Sequence, residues 1–147
     1  MAGLKISASP GEIVTGTSTK TLLQVVAASN HRVIVKRWGV TFKGVVATDP
    51  PVFVRLLRQT TAGTMTAYTP KKITDFSETV QTTAQHTATA EPTAGDVLFA
   101  REIHQQQGWY EIIPYGEEIH IPGGGRLGIE VTATVSITAV PEFVMEE

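Results

Sequence analysis

Glu102-Ile103-His104 and Glu118-Ile119-His120 are the two places where a carboxylate and an imidazole recur at one spacing. On a strand, residues two apart share a face, so each triplet sets its Glu beside its His. Two such strands as neighbours would offer two imidazoles and two carboxylates to a divalent metal. The same alternation turns Ile103 and Ile119 to a core and all four polar residues to water, and this solvated face is the expected arrangement. Gly123-Gly124-Gly125-Arg126-Leu127-Gly128 matches the G-x-G-x-x-G dinucleotide fingerprint. That fingerprint needs a following helix whose free amides hold a pyrophosphate, whereas a strand pattern follows here, so a tight turn is expected. His31, His86, His104 and His120 have no G-x-S-x-G serine to act on. Glu117-Glu118-Ile119-His120 contains Glu-x-x-His, a ligand pair that converges only on a helix, and this stretch reads as strand. No catalytic, cofactor-binding or metal-binding residue is assigned from the sequence.

Strands must position whatever these residues do. From Leu127 to Thr138, Leu127, Ile129, Val131, Ala133, Val135 and Ile137 alternate with Gly and with polar or hydroxyl residues. Period two means strand. At roughly 3.3 Å per residue this one would be about 40 Å long, so it is expected to bend, bulge or change neighbours. From Arg32 to Val46 the apolar parity switches, with Val33 and Val35 on odd positions and Trp38, Val40 and Phe42 on even ones. A bulge near Lys36 and Arg37 accounts for the switch. Shorter strands are expected at Thr21–Ala28, Val52–Leu57, Ala84–Ala90, Val97–Ile103, Tyr110–Ile113 and Glu118–Ile121. Turn residues such as Ser9-Pro10-Gly11, Asp49-Pro50-Pro51, Tyr115-Gly116 and Pro122-Gly123-Gly124-Gly125 separate them. A helix over Asp96–Gln107, capped by Asp96 and stopped by Gly108, is the alternative to a strand there.

The fold class that follows is all-β, an antiparallel jelly-roll-like sandwich of about eight strands. Its core is expected to include Trp38, Val40, Phe42, Leu127, Ile129, Val131 and Val135. The 147 residues fit one domain, 1–147, with extended arms expected at 1–10, 77–92 and 141–147, where core patterning is weak. A hydrophobic fraction of 41% suffices for a core, and with 18% charged residues Thr fills much of the surface. The net charge of −2 gives no electrostatic motive for nucleic acid, whose binding needs a clustered basic excess. Cysteine is absent, which removes disulfides, thiolate metal sites and a Cys nucleophile. Neither a signal-peptide pattern nor an apolar run of membrane length is present, so synthesis in the cytoplasm without membrane insertion is expected.

Two partial resemblances bear on chemistry. Ile121-Pro122-Gly123 is similar to the Pro-Gly turn that ends the second motif of cupin-type jelly-roll metal enzymes, but no His-x-His occurs to supply a first motif. Trp38, Trp109, Tyr110 and Tyr115 resemble the aromatic sugar platforms of jelly-roll lectins. Trp38, however, alternates with Val40 and Phe42 as a core residue does.

The wider resemblance is to small structural proteins of tailed phages. It is carried by Lys36-Arg37-Trp38-Gly39-Val40-Thr41-Phe42, by the Pro51 to Pro70 region with Thr60-Thr61-Ala62-Gly63-Thr64-Met65-Thr66, by Ala84-Gln85-His86-Thr87, and by Trp109 to Ala133. It resembles head decoration, or cement, proteins, which implies a virion location outside the capsid lattice. It further implies a homo-oligomer, a trimer above all, whose partner is the major capsid protein or another virion protein. No family site residues transfer with it.

Overall fold

A computed structural model describes residues 3–147. Among these residues there is no helix, and so none long and apolar enough to cross a membrane. The strands are β1 (Lys5–Ala8), β2 (Ile13–Val14), β3 (Lys20–Val26), β4 (Val33–Lys43), β5 (Val52–Gln59), β6 (Thr64–Tyr68) and β7 (Lys71–Lys72). They continue with β8 (Thr83–Ala90), β9 (Ala94–Ile103), β10 (Gly108–Ile112), β11 (Ile119–Ile121), β12 (Arg126–Thr132) and β13 (Thr138–Glu146). One sheet runs β10-β4-β13-β1-β7, with β11 also on β4 and β2 on β13; the other runs β6-β8-β3-β12-β5-β9. All pairings are antiparallel.

Period two decides which face each strand buries. Ile6, Val33, Trp38 and Phe143 of the first sheet meet Leu23, Val54, Leu127 and Ile129 of the second in one apolar cluster, so the sheets pack as a sandwich. Trp38, Val40, Phe42, Leu127, Ile129 and Val131 are buried as expected. The parity switch in β4 is a bulge. Val144 of β13 pairs with Arg37 and Met145 with Val35, which leaves Lys36 as the extra residue.

Three expectations are corrected. Thirteen strand segments replace about eight: β1, β2, β6, β7 and β13 were not expected, and of these β2 and β7 have two residues each and are too short to show a period. The Leu127–Thr138 segment is not one strand: β12 ends at Thr132 and the chain crosses to the other sheet before β13 starts at Thr138. Ala133 and Ile137 stay buried at this crossing while Val135 points out, 43% exposed, and is not a core residue. The strand expected at Val97–Ile103 is β9, and the alternative helix over Asp96–Gln107 is absent, the segment continuing from β9 into a turn.

The segments expected as arms lie largely in sheets. Pro141 to Glu146 belong to β13, whose Phe143 and Met145 are fully buried. Pro141 falls between the residues that pair with β2 and those that pair with β1, where a missing N–H costs no ladder bond on that side. Thr83–Ala90 of the 77–92 segment is β8, between β6 and β3, and Lys5–Ala8 of the first ten residues is β1. Met1 and Ala2 of that expected arm lie outside the described residues.

Candidate functional site

β10 is an edge strand whose neighbour is β4. Phe42 N donates to Gln107 O at 2.9 Å, and Ile113 N donates to Lys36 O at 2.9 Å. Backbone groups alternate along a strand, so residues 107, 109, 111 and 113 turn theirs to β4. Gly108, Tyr110 and Ile112 therefore turn their N–H and C=O groups outward. The side chains around this free edge are large and apolar: Trp109 is 40% exposed, Tyr110 47%, Ile112 75%, and Tyr115 in the next loop 96%.

Each face of β10 has its own support. Trp109 and Glu111 stand opposite Val40 and Trp38 on the core side of the sheet. There the Arg101 guanidinium of β9 lies 5.4 Å from the Phe99 ring centre and 5.6 Å from that of Trp109, and 3.8 Å from a Glu111 carboxylate oxygen. This seam of cation and aromatic rings closes the side of the sandwich between the two sheets. On the outer face Tyr110 lies over Gly39, with Arg37 5.9 Å from its ring centre. Arg37 Nη2 donates to Glu142 at 2.6 Å. Partial burial, with the neighbouring Glu142 carboxylate adding to it, raises the Tyr110 phenol above its ordinary pKa, and Arg37 opposes the rise. Trp109 and Tyr110 thus project from opposite faces of one strand and do not form a single flat sugar platform.

The Glu/His pairs are not brought together. Glu102 lies near the end of β9, an edge strand of one sheet, while Glu118 precedes β11 and His120 lies within it in the other. Ile103 and Ile119 are buried as expected. Glu118 is not simply solvated. Its side chain is 8% exposed, with Lys36 Nζ donating to it at 3.2 Å and Gly116 N at 2.7 Å. Hydrogen bonds from its own amide, then from Lys36 and Gly116, hold its carboxyl below the usual range against desolvation. His104 takes the Gln106 N–H on Nδ1 at 3.1 Å, which leaves Nε2 to donate to Ala47 O at 3.2 Å. Among the described residues no group of three or more His, Asp or Glu side chains is placed to hold a metal ion. The glycine run is a turn: Gly125 N donates to Pro122 O at 2.8 Å, Gly124 has φ +77°, and β12 follows.

Two further polar features lie apart from β10. On the outer face of the six-stranded sheet, Gln85 donates to Gln24 at 2.5 Å, Gln24 to Gln59 at 2.7 Å, and Gln59 to Thr21 at 2.9 Å. The carbonyls of Thr61 and Ala62 accept from Gln24 and Gln85, which ties the β5–β6 loop down over this row. An open groove of about 790 Å³ is lined by Leu4, His31, Phe76, Gln81 and Glu147 among others. The glutamine row is internally satisfied, as a structural network must be.

No protein-family model, curated protein or solved structure was found to match the chain. The sequence had singled out Trp109, Tyr110 and Tyr115 as aromatics. It did not single out Ile112, Arg101 or Arg37, whose places beside them depend on which strands lie at the edges.

Proposed function

We propose that the chain is a structural protein of a virus particle, a head decoration protein that binds the outside of the capsid and fastens neighbouring capsomers. It acts by binding, with no catalysis, cofactor or metal. The observation that carries this reading is the β10 edge. Trp109, Tyr110, Tyr115, Arg37 and Arg101 are the residue types that dominate the energetics of protein interfaces, and a rigid sandwich displays them together. The phage resemblance supplies the partner, the major capsid protein or another virion protein, together with self-association as a homo-oligomer. It also supplies the trimer and the virion location after synthesis in the host cytoplasm.

Strand order supports the jelly-roll part of the proposal. Taking β10 and β11 as one broken strand, the eight from β3 to β12, without the short β7, place the first, eighth, third and sixth side by side in one sheet. The second and seventh pair in the other. This is the order of a chain folded over as two Greek keys. The fourth and fifth, β6 and β8, join the free side of the first instead of crossing over to lie beside the seventh, and β13 and β1 extend the other sheet from the second.

Co-sedimentation with capsid particles lacking the protein tests the reading, with saturable binding expected. A glycan-binding module carrying the same aromatics would leave particles untouched and bind oligosaccharides on an array.

A further inference from the structure

We propose that two copies of this chain join edge to edge through β10, antiparallel, about a two-fold axis at Tyr110. The inference rests on the self-association proposed above and gives it a surface.

Of the six strands with a single neighbour among the described residues, β2 and β11 have only two and three residues, and three more carry features that discourage pairing. β7 is two exposed lysines, Lys71 and Lys72. β6 and β9 have irregular register with their neighbours. β10 has none of these. Its five residues run in unbroken register with β4, and Trp109, Tyr110 and Ile112 are exposed on it.

The strand is complementary to itself. An antiparallel copy centred on Tyr110 sets Tyr110 opposite Tyr110 and Gly108 opposite Ile112. These are the residues whose backbone groups face outward, and each such pair exchanges two hydrogen bonds, so every free group on the edge is satisfied. On the outer face the bulk of Ile112 meets the bare backbone of Gly108, and the two tyrosine rings meet at the axis. On the inner face the Glu111 carboxylate comes opposite Trp109 of the second copy, beside which that copy's Arg101 lies. Opposite charges therefore approach, and no like charges face each other. Moving the centre one residue to Glu111 would oppose two carboxylates and set the β4-facing backbone groups against each other. A two-fold contact closes on a pair, so the pairing is compatible with the proposed trimer only as a hexamer, two trimers joined through β10, each trimer built on a separate head-to-tail surface.

Ile112→Pro tests this cleanly, since the N–H it removes faces the open edge and makes no bond to β4. Tyr110→Lys is the second variant and opposes two cations at the axis. Light scattering and sedimentation of the full chain, with circular dichroism as the folding control, give the readout. Wild type is expected at twice the chain mass or an even multiple of it, and each folded variant at half the wild-type mass. If Ile112→Pro does not fold, Tyr110→Lys decides. A wild-type monomer or trimer, or a mass unchanged in the folded variants, would overturn the pairing. Particle binding is read separately: paired protein that ignores particles overturns the decoration reading alone, and a particle-binding monomer overturns the pairing alone.

Discussion

The ring of Tyr110 fills the space above Gly39 that a side chain at that position would occupy, and the two residues stand directly opposite on β10 and β4. An aromatic laid over a strand glycine restores the apolar cover that the glycine lacks. Gly39→Ala would drive a methyl group into the ring and against the Trp109 carbonyl. It is expected to cost about 1–3 kcal/mol, as overpacking does, and to displace Tyr110. Urea unfolding with tyrosine fluorescence checks both effects.

The crossing between β12 and β13 separates two valines that share one sequence pattern. Val131 is 1% exposed and Val135 43%. Val131→Asp is expected to destabilise by several kcal/mol through a buried unpaired charge, and Val135→Asp by about 0.5 kcal/mol or less. Thermal melts of the two variants side by side give the comparison.

Gln24 is fully buried and is the hub of the glutamine row, accepting from Gln85 and Arg126 and donating to Gln59 and Thr61 O. Gln24→Leu keeps the bulk but strands those partners, at an expected cost of about 1–3 kcal/mol. The loop at Thr61 to Gly63 should also exchange its amide hydrogens faster, which mass spectrometry can follow.

The Glu118 carboxyl is lowered from its ordinary value of 4.5 in the fold, so its contribution is present above that pH and lost as the pH falls through the lowered value. Glu118→Gln should flatten that part of the acid limb of stability. The Tyr110 phenol is raised from 10.0, so the unfolded chain loses its proton first and stability falls as the pH rises past that value. Tyr110→Phe should remove this alkaline loss. Denaturation at a series of pH values tests both signs.

Period-two patterning made much of the sandwich legible. The core parity of Trp38, Val40 and Phe42, and the bulge at Lys36, follow from one rule about side-chain alternation. β13 was harder to read because Pro141 and Glu142 interrupt it, although Ala139, Phe143 and Met145 alternate inward. β8 was legible as a strand at Ala84–Ala90, although only small residues, Ala84 and Ala88, occupy its buried positions. For the candidate site, the sequence could point to Trp109 and Tyr110 as aromatics but not to their neighbours. Arg101 reaches Trp109 from the other sheet, and Arg37 reaches Tyr110 across the β4–β10 pair. Strand order sets these contacts, and alternation carries no record of strand order.

The central claim is that this sandwich stabilises a capsid from outside, and the melting of particles with and without it is the most direct test. A protein that binds only the intact lattice shifts its stability by mass action. If the proposal holds, capsid particles that lack the chain should burst at a higher temperature as purified protein is added, up to a saturating ratio. An unchanged bursting temperature at saturating protein, with no chain co-sedimenting, would contradict the account.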